Sequence, residues 1–268
     1  MLREKYLTNW CLMAVILIGL VGSAPGQIYV DAGATGANNG ASWDDAYIDL
    51  QDALDEAGGG DEIWVAAGIY KPTKLETAGY PRSATFQLIS DVALLGGFGG
   101  ETILSGDIGI VGDSSDNCYH VVTGSFTDIS AVIEGFTIED GYADGPHEID
   151  GSLVMYHSGA GMFNYQGSPT VNHCIFRRNY AGTTPGGWYG GGGMYNQDCN
   201  PELSYCEFNG NSSGDGGGGI LNYQSSPVLS NCKFHGNSAG NWCGGGMENL
   251  INCNPVLSDC KFIGNSAG

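Results

Sequence analysis

Hydrophobic and polar residues recur in a fixed order through the second half of the chain. Four segments share the pattern Pro-x4-Cys-x-Phe-x2-Asn, where x is any residue. They begin at Pro169, Pro201, Pro227 and Pro255. A glycine-rich block ending in methionine or isoleucine precedes each one, and an asparagine stands two residues after that apolar residue. Copies that recur every 26 to 32 residues are typical of a solenoid of stacked units.

The unit is too short and too irregular for most repeat architectures. Each copy has two short stretches of β-like alternation separated by glycine, proline, asparagine and serine, without a helical period of useful length. Helical repeats are therefore excluded, and a propeller blade needs about 40–45 residues. One turn of a parallel β-helix fits, so the sequence predicts an all-β solenoid in which each copy forms one coil.

Residues at equal positions of successive coils should stack about 4.8 Å apart. Cysteine and phenylalanine alternate with period two, so both should point into the coil interior, and the asparagines should form hydrogen-bonded ladders at the turns. Glycines are expected to supply the corners with positive φ. The predicted structural stacks are Cys174, Cys206, Cys232 and Cys260; Phe176, Phe208, Phe234 and Phe262; and Asn164, Asn196, Asn222 and Asn249.

The first half predicts the beginning of the solenoid and an N-terminal capping helix. Residues 42–45 (Ser-Trp-Asp-Asp) resemble a capping box. Such a helix would cover the first coil, which otherwise presents unpaired strand edges. Three glycines at 58–60 should end it. The apolar residues that follow the capping box at helical spacing are Ile48, Leu50, Ala53, Leu54 and Ala57.

The N-terminus has the pattern of an export signal. Arg3 and Lys5 precede an apolar run over residues 10–21, and small residues follow at 22–26. We therefore divide the chain into a signal peptide (1–26), an N-terminal cap with the first coils (27–150) and the repeat coils (151–268). The predicted location is secreted, or on the cell surface or outer membrane, and no transmembrane segment is expected in the mature chain.

The charge excludes one class of partner. The chain has a net charge of −20, whereas a protein that binds nucleic acid needs a basic face to neutralise phosphates. The acids concentrate in residues 27–150, and their densest cluster is at 139–150. Oxygen-rich loops suit Ca²⁺, so this cluster is either a solvated loop or a Ca²⁺ site. Its candidate ligands are Asp140, Asp144, Glu148 and Asp150, and no other cofactor is expected.

Aromatic residues supply the candidate ligand-binding positions. Tyr195 lies one residue after the inner methionine, in a column with Phe163 and Leu221 that should face outward. Trp188, Tyr189 and Trp242 lie in the turns between repeats. Such rings either stack on sugar faces or simply cover turns. The stacked cysteines are interpreted as buried, unpaired thiols, although an exported protein permits disulfides.

The first half of the mature chain contains a series of short motifs: Ile-Tyr-Val-Asp (28–31), Asn-Gly-Ala-Ser-Trp (39–43), Leu-Gln-Asp-Ala-Leu (50–54), Gly-Asp-Glu-Ile-Trp-Val-Ala-Ala-Gly (60–68), Tyr-Lys-Pro (70–72), Gly-Gly-Phe (96–98) and Leu-Ser-Gly-Asp (104–107). With these motifs the chain resembles secreted bacterial right-handed parallel β-helix proteins over nearly its whole mature length. The glycine-methionine and Phe-x-x-Asn repeats are similar to those of chlamydial polymorphic outer-membrane proteins. The resemblance implies a right-handed coil, and because the chain ends in mid-repeat we expect further coils beyond residue 268.

The resemblance leaves two functions open, because this superfold hosts adhesins and enzymes alike. The preferred hypothesis is a non-catalytic adhesion or glycan-binding module with an extracellular glycan or surface partner. The alternative is a polysaccharide lyase or hydrolase that acts on acidic polysaccharide. The Gly-His-Gly and Arg-x-Lys motifs of the hydrolases are missing from the predicted mature chain (27–268), and Arg177 and Arg178 lack an acidic pair nearby in the sequence. Two or more carboxylates beside these arginines in space would favour a lyase.

Overall fold

In a computed structural model, the described residues are 26–146, 155–183, 189–240 and 243–268, with the backbone of 148–149 and 152–153. These residues wind into stacked coils whose neighbouring strands pair in parallel. The predicted all-β, right-handed parallel β-helix is confirmed. The predicted signal peptide lies almost wholly outside the described residues and stays a prediction.

The described part of the solenoid has three parallel sheets, and each repeat coil visits all of them in turn. Sheet I has six strands and lies where each coil begins; sheet III has five short strands and lies where each coil ends. Sheet I consists of Phe86–Gln87, Val122–Thr123, Met162–Tyr165, Met194–Gln197, Ile220–Tyr223 and Met247–Leu250. Sheet III consists of Tyr142–Ala143, Tyr180–Ala181, Ser212–Ser213, Ser238–Ala239 and Ser266–Ala267.

Sheet II has thirteen strands in two arms, joined through the long strand Ala93–Ser105. The first arm contains Val132–Glu134, Thr170–Asn172, Glu202–Ser204, Val228–Ser230 and Val256–Ser258. The second contains Phe136–Glu139, Ile175–Arg177, Glu207–Asn209, Lys233–His235 and Lys261–Ile263. Gln27–Val30 and Glu62–Tyr70 start the sheet, and a separate antiparallel pair joins Glu148–Ile149 to Ser152–Leu153.

A helix at Leu50–Glu56 packs against the first strands, where the capping helix was predicted. Its N-cap is Asp49, whose carboxylate accepts a hydrogen bond from the Gln51 amide at 2.9 Å. The predicted capping box at residues 42–45 is wrong, because Tyr47 first pairs with Val30 and keeps the chain extended. Ser42 Oγ instead accepts from the Asp45 amide within a turn. Two short 3₁₀ helices lie at Pro81–Ser83 and Ser114–Asp116.

In the repeats, the strand register stacks residues of the same or similar type in successive coils. Met162, Met194, Ile220 and Met247 occupy one column, and the first three are fully buried. The glycine before each apolar residue is required by the closeness of the coils. A Cβ at Gly193 would lie 2.6 Å from the carbonyl oxygen of Gly219, which is closer than atoms in contact approach.

The corner between the two arms of each repeat coil differs from the prediction that glycines make the corners. Non-glycine residues with φ of 48° to 54° turn the chain there. Among non-glycine residues, Asn, Asp and His adopt this left-handed conformation most readily, and all four corner residues are exposed. They are His173, Tyr205, Asn231 and Asp259.

Candidate functional site

The asparagines that were predicted to form a ladder do stack on one another, and their role is to stabilise the fold. Each asparagine side chain of sheet I donates from Nδ2 to the Oδ1 of the next, at 2.8, 2.9 and 2.8 Å. Their order is Asn164, Asn196, Asn222 and Asn249. A second ladder of the same kind joins Asn179, Asn211, Asn237 and Asn265. These amides bond mainly to one another and leave little bonding capacity for a ligand; Asn164 Oδ1, at the start of the first ladder, has no partner within the described structure.

The cysteine and phenylalanine stacks fill the interior. Cys174, Cys206 and Cys232 are fully buried, Cys260 is partly buried, and all four are unpaired. Burial raises the pKa of the Cys174 thiol to about 12. Because a nucleophilic cysteine needs its thiolate, a buried thiol of this kind is inert. The phenylalanine rings stack at 4.7, 4.8 and 4.5 Å, in the order Phe176, Phe208, Phe234 and Phe262.

Tyr195 does not offer a free platform for a sugar, contrary to the sequence prediction. It is fully buried, and its ring lies 5.6 Å from that of Phe163 and nearly parallel to it. Its side chain packs in a cluster with Met155, Phe163 and Leu221, and the Gly159 backbone is so close that a Cβ there would lie 2.9 Å from Tyr195 Cβ. Tyr189 is half-buried and forms an edge contact with the His157 ring. Trp188 and Trp242 lie outside the described residues.

Two of the four predicted Ca²⁺ ligands are engaged by arginines. Asp140 accepts two hydrogen bonds of 3.1 Å from Arg178, and Asp144 pairs with Arg82 at 2.6 Å. The sequence could not foresee these partners, because they lie on other coils. The Glu148 side chain and Asp150 lie outside the described residues. Within the described part of the chain, no group of three or more His, Cys, Asp or Glu residues is arranged to hold a metal ion.

The arginines of the first repeat lie in a cluster of acids, contrary to their isolation in the sequence. Arg177 pairs with Glu101 at 3.2 Å and through Nε with Glu139. Arg178 Nη2 also reaches Glu139, at 2.9 Å. The hydrogen bond to Asp140 is the largest influence that raises the pKa of Arg178. Its guanidinium is therefore held in the charged form and is a poor proton acceptor.

A groove that the sequence did not reveal lies on the outer face of sheet I. The loop over residues 71–85 folds back on itself, with the Glu76 amide donating to the Ser83 carbonyl at 3.0 Å. Beneath it are two adjoining pockets, of about 260 and 280 Å³, which share Glu76 in their linings. We call the pair the sheet I groove.

The larger pocket of the groove is aromatic. Phe126 is 72% exposed, and its ring meets that of Tyr165 edge-on at 5.6 Å. Its φ of 60° is rare for a bulky side chain, and it holds the ring at the pocket rim. Phe163 and Tyr156 line the same pocket, and the Tyr156 hydroxyl lies 2.6 Å from Thr77 Oγ1.

The smaller pocket adds polar groups. Gln51 is 6% exposed, and its Oε1 has no hydrogen-bond partner within the described structure. Glu76 keeps contact with solvent, but the surrounding protein partly desolvates its carboxyl group and raises the pKa. Lys74 pairs with Asp55 at the pocket wall. The only sequence signal for this site was an aromatic residue, Phe126, within an otherwise polar turn.

The comparison with protein families agrees with the fold. A family model described as "right handed beta helix region" matches residues 108–268. Pectate lyase Pel9A is similar in structure, with 16% identity and a TM-score of 0.43, over 89% of this chain and 63% of that one. The chain thus spans less than two thirds of Pel9A.

Pectin methylesterase PemA from Erwinia chrysanthemi is similar at 9% identity, with a TM-score of 0.38 and 92% of both chains covered. Among curated proteins, none matches the chain. In the described residues, no helix has the length and apolar character needed to cross a membrane.

Proposed function

We propose that this chain, which belongs to the right-handed β-helix family, is an exported or cell-surface module that binds a glycan and is not an enzyme. Adhesion to a glycan-bearing surface is the role that such a module would serve. Export is proposed from the basic and apolar pattern of the first 26 residues.

The sheet I groove is the observation that carries this proposal. Sugar rings have one apolar face, which packs on aromatic side chains, and hydroxyl groups that need hydrogen-bond partners. The groove presents Phe126 and Tyr165 on one side of Glu76 and the unpartnered Gln51 Oε1 on the other. Pockets with mostly apolar walls and a few converging polar groups are the usual form of small-ligand sites.

The three carboxylates beside Arg177 and Arg178 meet the condition that favours a lyase, but the way these charges are paired argues for a binding role over catalysis. A lyase needs a base that takes a proton from the sugar, and Arg178 is held charged by its carboxylate partners. Each of the three acids of the cluster is ion-paired with at least one of the two guanidinium groups, so only one formal negative charge is left over for binding Ca²⁺. The chain's net charge of −20 would also repel a polyanionic sugar.

A glycan array followed by titration of each hit tests the proposal. Replacing Phe126 or Tyr165 by Ala should weaken binding about two- to tenfold, because one aromatic contact contributes about 0.5–1.5 kcal/mol. Tyr205→Ala is the matched control: that tyrosine is 55% exposed and lies on a different face. The proposal fails if no glycan binds, or if Tyr205→Ala weakens binding as much as the groove variants do.

A polysaccharide lyase is the second candidate, because three carboxylates lie beside Arg177 and Arg178. Absorbance of 4,5-unsaturated uronate products, measured on pectate with and without Ca²⁺, separates the two functions. We expect no turnover. Robust product formation that Arg177→Ala abolishes would replace the binding module with the lyase.

Export is tested by expressing the full chain in a bacterial host and sequencing the N-terminus of the secreted protein. We expect it to begin at Gln27, after the small residues at 22–26. Retention of the intact chain inside the cell would contradict the export proposal. It would not affect the binding proposal, which the glycan array tests separately.

A further inference from the structure

The donor groups that line the smaller pocket of the sheet I groove are engaged with the protein itself. Thr85 Oγ1 donates to a backbone carbonyl at 3.4 Å, and Gln87 Nε2 donates to two others, at 2.8 and 3.2 Å. Lys74, the basic residue of the lining, pairs with Asp55. A ligand that enters this pocket therefore meets mainly oxygen acceptors.

Two acceptors of the same lining lack a donor that matches them. Gln51 is 6% exposed, and its Oε1 has no hydrogen-bond partner within the described structure, which is unfavourable for a buried acceptor. Among the described residues, no ion pair includes Glu76. Desolvation raises the pKa of Glu76, and the Tyr156 hydroxyl opposes this effect. Both acceptors would gain from a donor that a ligand supplies.

The charge of the lining favours a cationic donor. Asp55 and Glu76 contribute two negative charges and Lys74 one positive charge, so the lining has a net formal charge of −1. The chain as a whole has a net charge of −20, which attracts cations to its surface. Hydrogen bonds to a charged partner are also roughly twice as strong as neutral ones. An ammonium group combines the charge and the donors that this pocket lacks.

We propose that the glycan bound in the sheet I groove contains an amino sugar with a free amino group, an inference that rests on the glycan-binding function proposed above. The sugar ring packs on Phe126 and Tyr165, and its ammonium group donates to Glu76 and Gln51. Glu76 lines both pockets, so its charge lies beside the aromatic contact. An acetylated amino sugar matches the pocket less well. It carries no charge, and its carbonyl needs a donor where the wall hydroxyl and amide are already engaged.

Three tetrasaccharides that differ in one substituent test this inference on the full chain. Tetramers of β-1,4-linked glucosamine, N-acetylglucosamine and glucose share a backbone and differ only in the ammonium, acetamido or hydroxyl group at one ring carbon. Titration calorimetry should show the glucosamine tetramer binding about tenfold or more tighter than the other two, with an affinity that falls as NaCl is added. Equal affinity for the glucosamine and glucose tetramers, or no binding of the glucosamine tetramer, would overturn the inference.

Charge-neutralising variants locate the ammonium group. Glu76→Gln keeps the shape of the side chain and removes its charge, so the preference for glucosamine over glucose should fall to about threefold or less. Asp52→Asn is the matched control, because Asp52 is exposed and lies on the helix that carries Gln51, but outside both pocket linings. Its preference should stay within about twofold of the parent chain. If Asp52→Asn lowers the preference as much as Glu76→Gln does, diffuse charge attracts the amine and the proposed contact is wrong.

The glycan array separates failure of this inference from failure of the proposed function. A neutral glycan that binds more tightly than any amino sugar, and whose binding Phe126→Ala weakens, would uphold the groove as a glycan site and refute the preference for an amine. If no glycan binds at all, both the function and the inference are wrong.

Discussion

Replacing Phe234 by Ala tests the packing of the solenoid most directly. Phe234 is fully buried, and its ring stacks between Phe208 at 4.8 Å and Phe262 at 4.5 Å. Removal of a buried phenylalanine ring costs about 3–5 kcal/mol. Both faces of this ring lose a stacked partner, so we expect a loss of about 4 kcal/mol in the free energy of unfolding.

Phe262→Ala is the matched control, because it removes the same ring from the next coil. Phe262 is 46% exposed, and it stacks on Phe234. Since hydrophobic stabilisation scales with the apolar area removed from water, about half of the full cost should remain, roughly 2 kcal/mol. The two losses therefore differ because Phe262 is half exposed and stacks on Phe234, whereas Phe234 is fully buried between two rings.

Urea unfolding followed by circular dichroism and by tryptophan fluorescence measures both variants. Coincident transitions would show that the coils unfold together, which repeat proteins do not always do. A Phe234→Ala loss below 1 kcal/mol, or an equal loss in both variants, would refute the predicted column and the register with it.

Three further predictions concern single positions. Gly193→Ala should lower the free energy of unfolding by more than about 2 kcal/mol, because the added Cβ overlaps the backbone of the next coil. Gly210 has open space around it but a φ of 61°, so Gly210→Ala should lower it by only about 1–2 kcal/mol. The same urea assay measures both variants. Cys206 and Cys232 should resist alkylation until the chain unfolds, as both are fully buried; rapid native labelling, or a bridge between them found by mass spectrometry, would contradict this. Burial lowers the pKa of His120 to about 4. As the pH falls from 6.5 to 4, the unfolded chain therefore binds a proton at His120, whereas the folded chain does not. Stability should fall over that range by up to about 3 kcal/mol, and His120→Gln should lose this part of the pH dependence.

The repeats made the fold predictable from sequence. Parallel coils place equal positions on top of each other, so a residue pattern at constant spacing determines the register directly. The methionine, cysteine, phenylalanine and asparagine columns all lie where period-two alternation puts them. The capping helix followed from apolar spacing, although its N-cap is Asp49 and not residue 42.

The surface chemistry was decided only by the tertiary structure. Arg177 and Glu139 are 38 residues apart in the chain, yet the coil pitch makes them neighbours. Tyr195 lies outside the interior core, as its alternation predicts, but it is buried in a second cluster with Met155, Phe163 and Leu221. Phe126 and Gln51 enter one groove because the 71–85 loop folds over sheet I. Local patterns determine which way a side chain points from its own strand; the path of a loop across a face depends on contacts between distant residues, which no local pattern contains.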